Sequence, residues 1–269
     1  MITFDYNNIH FDKESPSQLL YSNAQLSPSL YEIFMKKTLI ALYCLGLLQG
    51  CNLDLNSDSS DQNLSFNYDF ESGAQGWIAG FSDYPSDYDD LSIYELASGV
   101  MTLPADTSKH GFYLAGHNRS DDLFMFIKTK VTGLQASSRY IASVKIDLLS
   151  DKGEDCFGIG GSPGSSVYIK FGFADVEPKQ AEYYMNIDKG NQLAGGTNAN
   201  TLGDIVVKGE ECEIGRFLPK VIASTSENHL ELTSNADGSI WLFVGSDSGF
   251  EGLTQLYYDN ITITLTPAS

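Results

Sequence analysis

An all-β fold, built as two stacked antiparallel sheets of jelly-roll type, follows from three features of the sequence. Short runs rich in β-branched and aromatic residues recur between clusters of Gly, Asn, Asp and Ser. No window from Leu64 onward shows helical periodicity over the roughly 12 residues a helix needs, and the two clearest runs alternate apolar with polar residues. The 15 Tyr, 15 Phe and 25 Gly among 269 residues suit strands joined by turns. No internal repeat of about 20 to 50 residues appears, which disfavours propellers and solenoids and leaves a packed sandwich.

The chain divides into four parts before any strand is placed. Residues 1–34, with Asp5, Asp12, Glu14 and Glu32, form an acidic preface unlike the start of an export signal, so translation is expected to begin at Met35. Residues 35–50 have a secretory layout: Lys36 and Lys37, an apolar run from Leu39 to Leu48 too short to cross a bilayer of roughly 30 Å, then a small residue before Cys51. Residues 51–63, beginning CNLDLNSDSSDQN, are polar and fit a flexible tether. Residues 64–269 make a single β-sandwich domain.

Within that domain, strands are expected near residues 65–70, 76–81, 93–96, 111–116, 122–131, 140–149, 166–174, 203–207, 227–234, 239–246 and 254–265. In the sixth, Ala142, Val144, Ile146 and Leu148 alternate with Ile141, Ser143, Lys145 and Asp147, giving one buried and one wet face. The last repeats the pattern, with Ile261, Ile263 and Leu265 against Thr262, Thr264 and Thr266.

Two resemblances add to this reading. Leu48-Gln49-Gly50-Cys51 resembles the lipobox of bacterial lipoproteins, with Gln49 the less usual residue. That resemblance implies lipidation of Cys51, a membrane anchor and, because Asn52 rather than Asp follows the Cys, an outer-membrane location. The opening FNYDFESGAQGW and the closing YYDNITITL are similar to the terminal strands of jelly-roll carbohydrate-binding modules and related galactose-binding-like domains. This second resemblance covers about twenty residues and implies a structural calcium with Glu71 and Asp259 among its ligands. A turn-forming Glu and an Asp bonded to a local amide are the simpler account of the same two residues.

Composition excludes some functions. With 16 Lys+Arg against 35 Asp+Glu the formal charge is -19, so nucleic acid, whose binding rests on clustered cations, is not expected as a partner. Four cysteines reduce to two in the folded part, Cys156 and Cys212, and in an oxidising envelope an even pair favours a disulfide worth roughly 3 to 4 kcal/mol in the chain-entropy account. Two unrelated thiols remain the alternative.

Candidate binding residues lie in three polar loops: GHNRSDDLFMF (116–126), NIDKGNQ (186–192) and GSDSGFEG (245–252). Asn118, Arg119, Asp121, Asp122, Asp188, Lys189, Asn191, Gln192, Asp247 and Glu251 carry directed hydrogen-bonding groups suited to sugar hydroxyls if the loops converge; singly, each reads as a turn former or surface charge. Trp77, Tyr84, Tyr88, Tyr183, Tyr184 and Trp241 could offer ring faces to a pyranose. Tyr84 and Tyr88 are the expected accessible pair, in an acidic loop whose Asp83, Asp87, Asp89 and Asp90 could alternatively collect a divalent ion, while Trp241 is expected in the core. GIGGSPGSSVYIK (158–170) lacks the Gly-Lys-Ser/Thr ending of a phosphate loop and reads as a tight turn.

No GxSxG, HExxH or Cys/His signature is present. The leading expectation is a non-catalytic, envelope-tethered module that binds a glycan or another envelope component. The alternatives are a jelly-roll polysaccharide lyase or glycoside hydrolase using Arg119, His117 and Tyr168, and a structural lipoprotein that binds a protein partner.

Overall fold

The computed structural model describes residues 62–268. The expectations for the preface, the signal, the lipidated Cys51 and most of the tether lie outside the described residues. Fourteen strands are present among those described: β1 (Leu64–Tyr68), β2 (Ile78–Ser82), β3 (Ala97–Leu103), β4 (Asp106–His117), β5 (Phe124–Val131), β6 (Arg139–Lys152), β7 (Val167–Ala174), β8 (Gln180–Ala181), β9 (Tyr184–Met185), β10 (Ala199–Asp204), β11 (Glu213–Ala223), β12 (Leu230–Thr233), β13 (Ile240–Ser248) and β14 (Leu253–Pro267).

They form a sandwich of two antiparallel sheets. The larger has the order β11-β6-β14-β4-β3, with β1 also on β14 and β12 also on β6; the smaller has the order β10-β7-β13-β5-β2. The 15 residues of β14 are long enough to pair twice along one side, with β4 through Leu253–Tyr258 and with β1 through Ile261–Leu265. Chain start and chain end therefore lie side by side.

The alternation read from β6 and β14 holds. Val144, Ile146, Leu148, Ile261, Ile263 and Leu265 enter the core between the sheets, where they meet Met125, Ile127, Ile169, Phe171, Leu242 and Val244. At roughly 1.5–3 kcal/mol for each large apolar side chain buried, this layer supplies the driving force of the fold. Cys156 and Cys212 form a disulfide, with Cα atoms 4.8 Å apart.

Several element expectations are corrected. Residues 91–94 make a 3-10 turn rather than starting a strand, because the Asp90 carboxylate accepts from Ser92 N and Glu95 takes a left-handed conformation at the exit. The strand expected at 203–207 is β10, ending at Asp204, with a bulge between Thr201 and Gly203. β11 was not expected, since Gly215 and Pro219 break its pattern. It lies at a sheet edge, where a proline needs no partner for its nitrogen. Trp241 is half-buried on an outer face rather than in the core, with the Lys128 ammonium 5.9 Å from its ring.

A second, smaller core lies on the outer face of the five-stranded sheet. Phe124, Phe126 and Phe243 are fully buried there with Met185 and Ala199, although an outer sheet face ordinarily meets water. Segment 175–198, which includes β8 and β9, covers them.

Candidate functional site

The covered face is the first place where the polar loops meet. Lys189 Nζ lies 3.0 Å from Asp247 Oδ2 and 3.7 Å from Asp83 Oδ2, and 4.9 Å above the Phe124 ring. Lys170 Nζ donates to the carbonyls of Lys189 (3.0 Å) and Ala194 (2.7 Å) and sits 3.5 Å from Asp247 Oδ2. All four charged residues are buried. Burial pushes the Asp83 carboxyl above its ordinary range, against the pull of Lys189, and burial pushes the Lys170 ammonium down, against the pull of Asp247. Two cations and two anions thus balance one another beneath segment 175–198. Lys128 adds a further tie, donating to Pro178 O at 2.6 Å and pairing with Glu177 at 2.8 Å.

The three polar loops do converge, through bonds to one another. Gln192 N donates to Asp247 Oδ2 at 2.9 Å, and its side chain reaches Asp121 O and Asp122 Oδ1 at 3.4 and 3.5 Å. Asn118 Nδ2 donates to the carbonyls of Ser248 and Phe250 at 2.7 and 3.1 Å, while its Oδ1 accepts from Ser120 N and Leu123 N. Asp188 closes its own loop by accepting from Gly190 N and Thr197 N, and those bonds lower its pKa. Lys189, Asp247, Asn118 and Asp188 therefore hold loops together. Arg119, Asp121, Asn191 and Glu251 remain exposed at the same end, with Asp122 half-buried.

The aromatic candidates separate similarly. Trp77 is buried, edge-on to Tyr68 at 5.2 Å, and Tyr84 is half-buried against Tyr94 at 5.1 Å. Tyr183 donates its hydroxyl to Ser120 O at 3.2 Å, whereas Tyr88 and Tyr184 stay exposed. In the acidic loop, Asp83 turns inward to Lys189 and Asp90 caps the 3-10 turn, which removes two of the four carboxylates from a shared ion site.

For the proposed catalytic set, His117 Nδ1 lies 2.9 Å from Glu95 Oε1 and 3.3 Å from Arg119 Nη2 at the end of β4. Tyr168 belongs to the other sheet, opposite Asp247 and Asp204. No hydrogen bond joins it to His117 or Arg119 among the described residues.

Glu71 and Asp259 lie near the junction of first and last strands. The Glu71 carboxylate accepts from His110 N at 3.2 Å and faces His110 Nδ1 at 3.4 Å. Burial raises the Asp259 pKa; Lys109 opposes this, and the charges of Asp147, Glu71 and Asp106 reinforce it. These are hard oxygen donors of the kind calcium takes, although six to eight oxygens are needed and two carboxylates supply only part of such a shell.

An open cleft lies elsewhere among the described residues. A cleft of about 650 Å3 is lined by Glu154, Asp155, Ser162, Ser165, Asp204 and Lys208, with Cys156 and Phe157 at its wall. Phe157 is 94% exposed and Ile159 72%. Their loop is held in place: Cys156 is disulfide-bonded, Ile159 O accepts from Glu251 N at 2.8 Å, and Ser166 O accepts from Gly249 N at 2.9 Å. A Cβ at Gly158 would strike the Phe250 ring and one at Gly160 the Gly249 carbonyl, so the loop packs directly on residues 249–250. By sequence alone this glycine-rich segment is a tight turn. The signal available was Phe157 and Ile159 standing among glycines and serines beside a disulfide cysteine.

Among known proteins, no family model matches this chain and no curated protein does. Solved structures similar to it include TmCBM27, a carbohydrate-binding module described for mannan recognition (9% identity, covering 77% of this chain and 99% of that one, TM-score 0.38). A xylan-binding CBM22-1 domain of Paenibacillus barcinonensis Xyn10C (12% identity, 78% and 98%, TM-score 0.37) and the K1 cleaved adhesin domain of Lys-gingipain from Porphyromonas gingivalis (12% identity, 74% and 97%, TM-score 0.35) are similar at the same level. Likeness this distant says nothing of what this chain binds.

Proposed function

We propose that this protein is a lipid-tethered component of a bacterial outer membrane whose β-sandwich holds a glycan without turning it over. The observation that carries the reading is the open cleft beside Phe157. An almost fully exposed ring on a pinned loop supplies a stacking face, and serine hydroxyls, carboxylates and a lysine supply directed hydrogen bonds, the pairing of apolar wall and convergent polar groups that small-ligand sites use. The ring costs little to order on binding because its loop is already fixed by the disulfide and two backbone bonds.

Cys51 anchors the chain in this reading, residues 51–63 give it reach, and calcium bound by Glu71 and Asp259 ties the terminal strands. A cation there would relieve the crowding that Asp147, Glu71 and Asp106 impose on Asp259. The protein carrying Cys51→Ser, to keep it unlipidated, is titrated calorimetrically with β-1,4-linked glucose, mannose and xylose oligomers, and products are assayed for new reducing ends. Saturable heat without new ends is the expected result. New ends would make it an enzyme, and no heat with any series would remove the glycan reading. Melting with calcium and with chelator tests the metal, an unchanged midpoint removing it.

A further inference from the structure

The cluster beneath segment 175–198 holds an amine and two carboxyl groups in an arrangement that can do chemistry on itself. Lys189 Nζ lies 3.0 Å from Asp247 Oδ2 and 3.7 Å from Asp83 Oδ2. The Asp247 side chain is fully buried and those of Lys189 and Asp83 are 6% exposed, so bulk water barely reaches the three groups. The Phe124 ring, 4.9 Å from the amine, adds an apolar wall. The two oxygens of Asp247 are held unequally. Oδ2 accepts from Lys189 Nζ and from Gln192 N at 2.9 Å, with Lys170 Nζ 3.5 Å away. Oδ1 is buried and has no hydrogen-bond partner among the described residues. A carboxylate with one bare oxygen is a costly occupant of such a site, whereas an amide in its place keeps the bonded oxygen and discards the bare one.

We propose that Lys189 and Asp247 condense into an intramolecular isopeptide bond, with Asp83 as the group that moves the protons. Lys189 Nζ bonds to Asp247 Cγ and the Cγ–Oδ1 bond breaks. Of the three ammonium protons, one stays on the amide nitrogen and two leave with Oδ1 as water, so the step needs neither oxidant nor co-reactant. Gln192 N–H and Lys170 stay on Oδ2, where negative charge develops as the bond forms. Asp83 takes protons from the nitrogen, returns them to the departing oxygen and ends unchanged. Burial raises its pKa above the ordinary carboxylate range, which suits a group that hands a proton on. The fold supplies the encounter by holding amine and carboxyl together. Condensation also removes two charges that are costly to bury, and leaves Lys170 and Asp83 as one cation and one anion. The product ties segment 175–198, whose β8 and β9 are two residues each, to β13 across 58 residues of chain. The cover over Phe124, Phe126 and Phe243 then becomes covalent.

The test is the intact mass of the Cys51→Ser protein after reduction and unfolding, followed by tandem mass spectrometry of its proteolytic peptides. The expected mass is one water below that of the sequence, with a branched peptide joining the segments around Lys189 and Asp247. Lys189→Arg keeps a cation that cannot form this link and should show the full mass. Asp83→Asn keeps both partners and should retain the water, while Asp83→Glu should lose it again. Melting midpoints check that each variant is folded. A native chain of full mass overturns the proposal, as does a missing water that maps to any other pair or to a succinimide at Asp237–Gly238. A water lost as completely from Asp83→Asn as from the native chain overturns the role of Asp83. The native measurement needs no variant, so it decides the bond even where a variant fails to fold.

Discussion

On the outer face of the five-stranded sheet Lys170, Lys189, Asp83 and Asp247 neutralise one another out of solvent, whereas along the β10–β11 edge Asp155, Lys208 and Glu211 stay open to water. The same residue types therefore do different work in two regions that β7 and β10 nearly join. Under segment 175–198 a charge is held by other charges and by backbone carbonyls, so its removal disturbs the fold. At the cleft Asp155 and Lys208 face solvent while Asp204 is paired with Lys220, so in the proposed reading removal of Asp155 or Lys208 disturbs binding and leaves the fold intact. A polar side chain becomes available for function only where the chain leaves it without an internal partner.

That contrast can be broken from the covered side first. Asp247→Ala leaves two buried lysines with Asp83, 3.7 Å from Lys189, as the remaining carboxylate of the cluster and Lys170 with carbonyls alone, and a loss of about 3–5 kcal/mol in urea unfolding is expected. A loss under about 1 kcal/mol, in the range of a solvent-exposed pair, would mean that segment 175–198 stands away from the sheet in solution. Next in size, replacing both cysteines, Cys156→Ala with Cys212→Ala, should lower stability by about 2–4 kcal/mol in the same urea unfolding measurement.

Asp83 gives a smaller effect with a defined sign. Its folded pKa is raised by burial, so the charged form is penalised in the fold at neutral pH, and the penalty is relieved as pH falls through that raised value. The native protein should gain stability relative to Asp83→Asn on acidification from pH 7 toward about 4, the unfolded carboxylate range. A constant difference across that window would place Asp83 in water. The smallest effect on stability belongs to Phe157→Ala, within about 0.5 kcal/mol, because an exposed ring leaves no cavity behind. A larger drop in melting midpoint would make Phe157 a packing residue and blur the distinction between the two regions.

Much of this architecture is legible along the chain. β6 and β14 declare their faces by strict alternation, and the terminal motifs meet as their resemblance to jelly-roll modules implies. The two cysteines left in the folded part are paired. The sequence left open whether loops 116–126, 186–192 and 245–252 converge; the structure brings them together, with Gln192 bonded to both Asp247 and Asp122. Their bonding to one another is what the polar pattern could not reveal: a lysine followed by glycine reads the same whether it meets solvent or a buried aspartate 58 residues away.

Composition and periodicity by themselves determined the β class and which residues of β6 and β14 face the core. These depend on local spacing, which a side-chain period of two or a continuous apolar run records directly. Only the tertiary structure decided that Phe124, Phe126 and Phe243 are sealed, that Pro219 sits harmlessly in an edge strand, and that a glycine-rich turn leaves Phe157 exposed beside an open cleft. Each of those outcomes depends on which distant backbone arrives to cover, or fails to cover, a given face, and long-range packing leaves no period in the sequence.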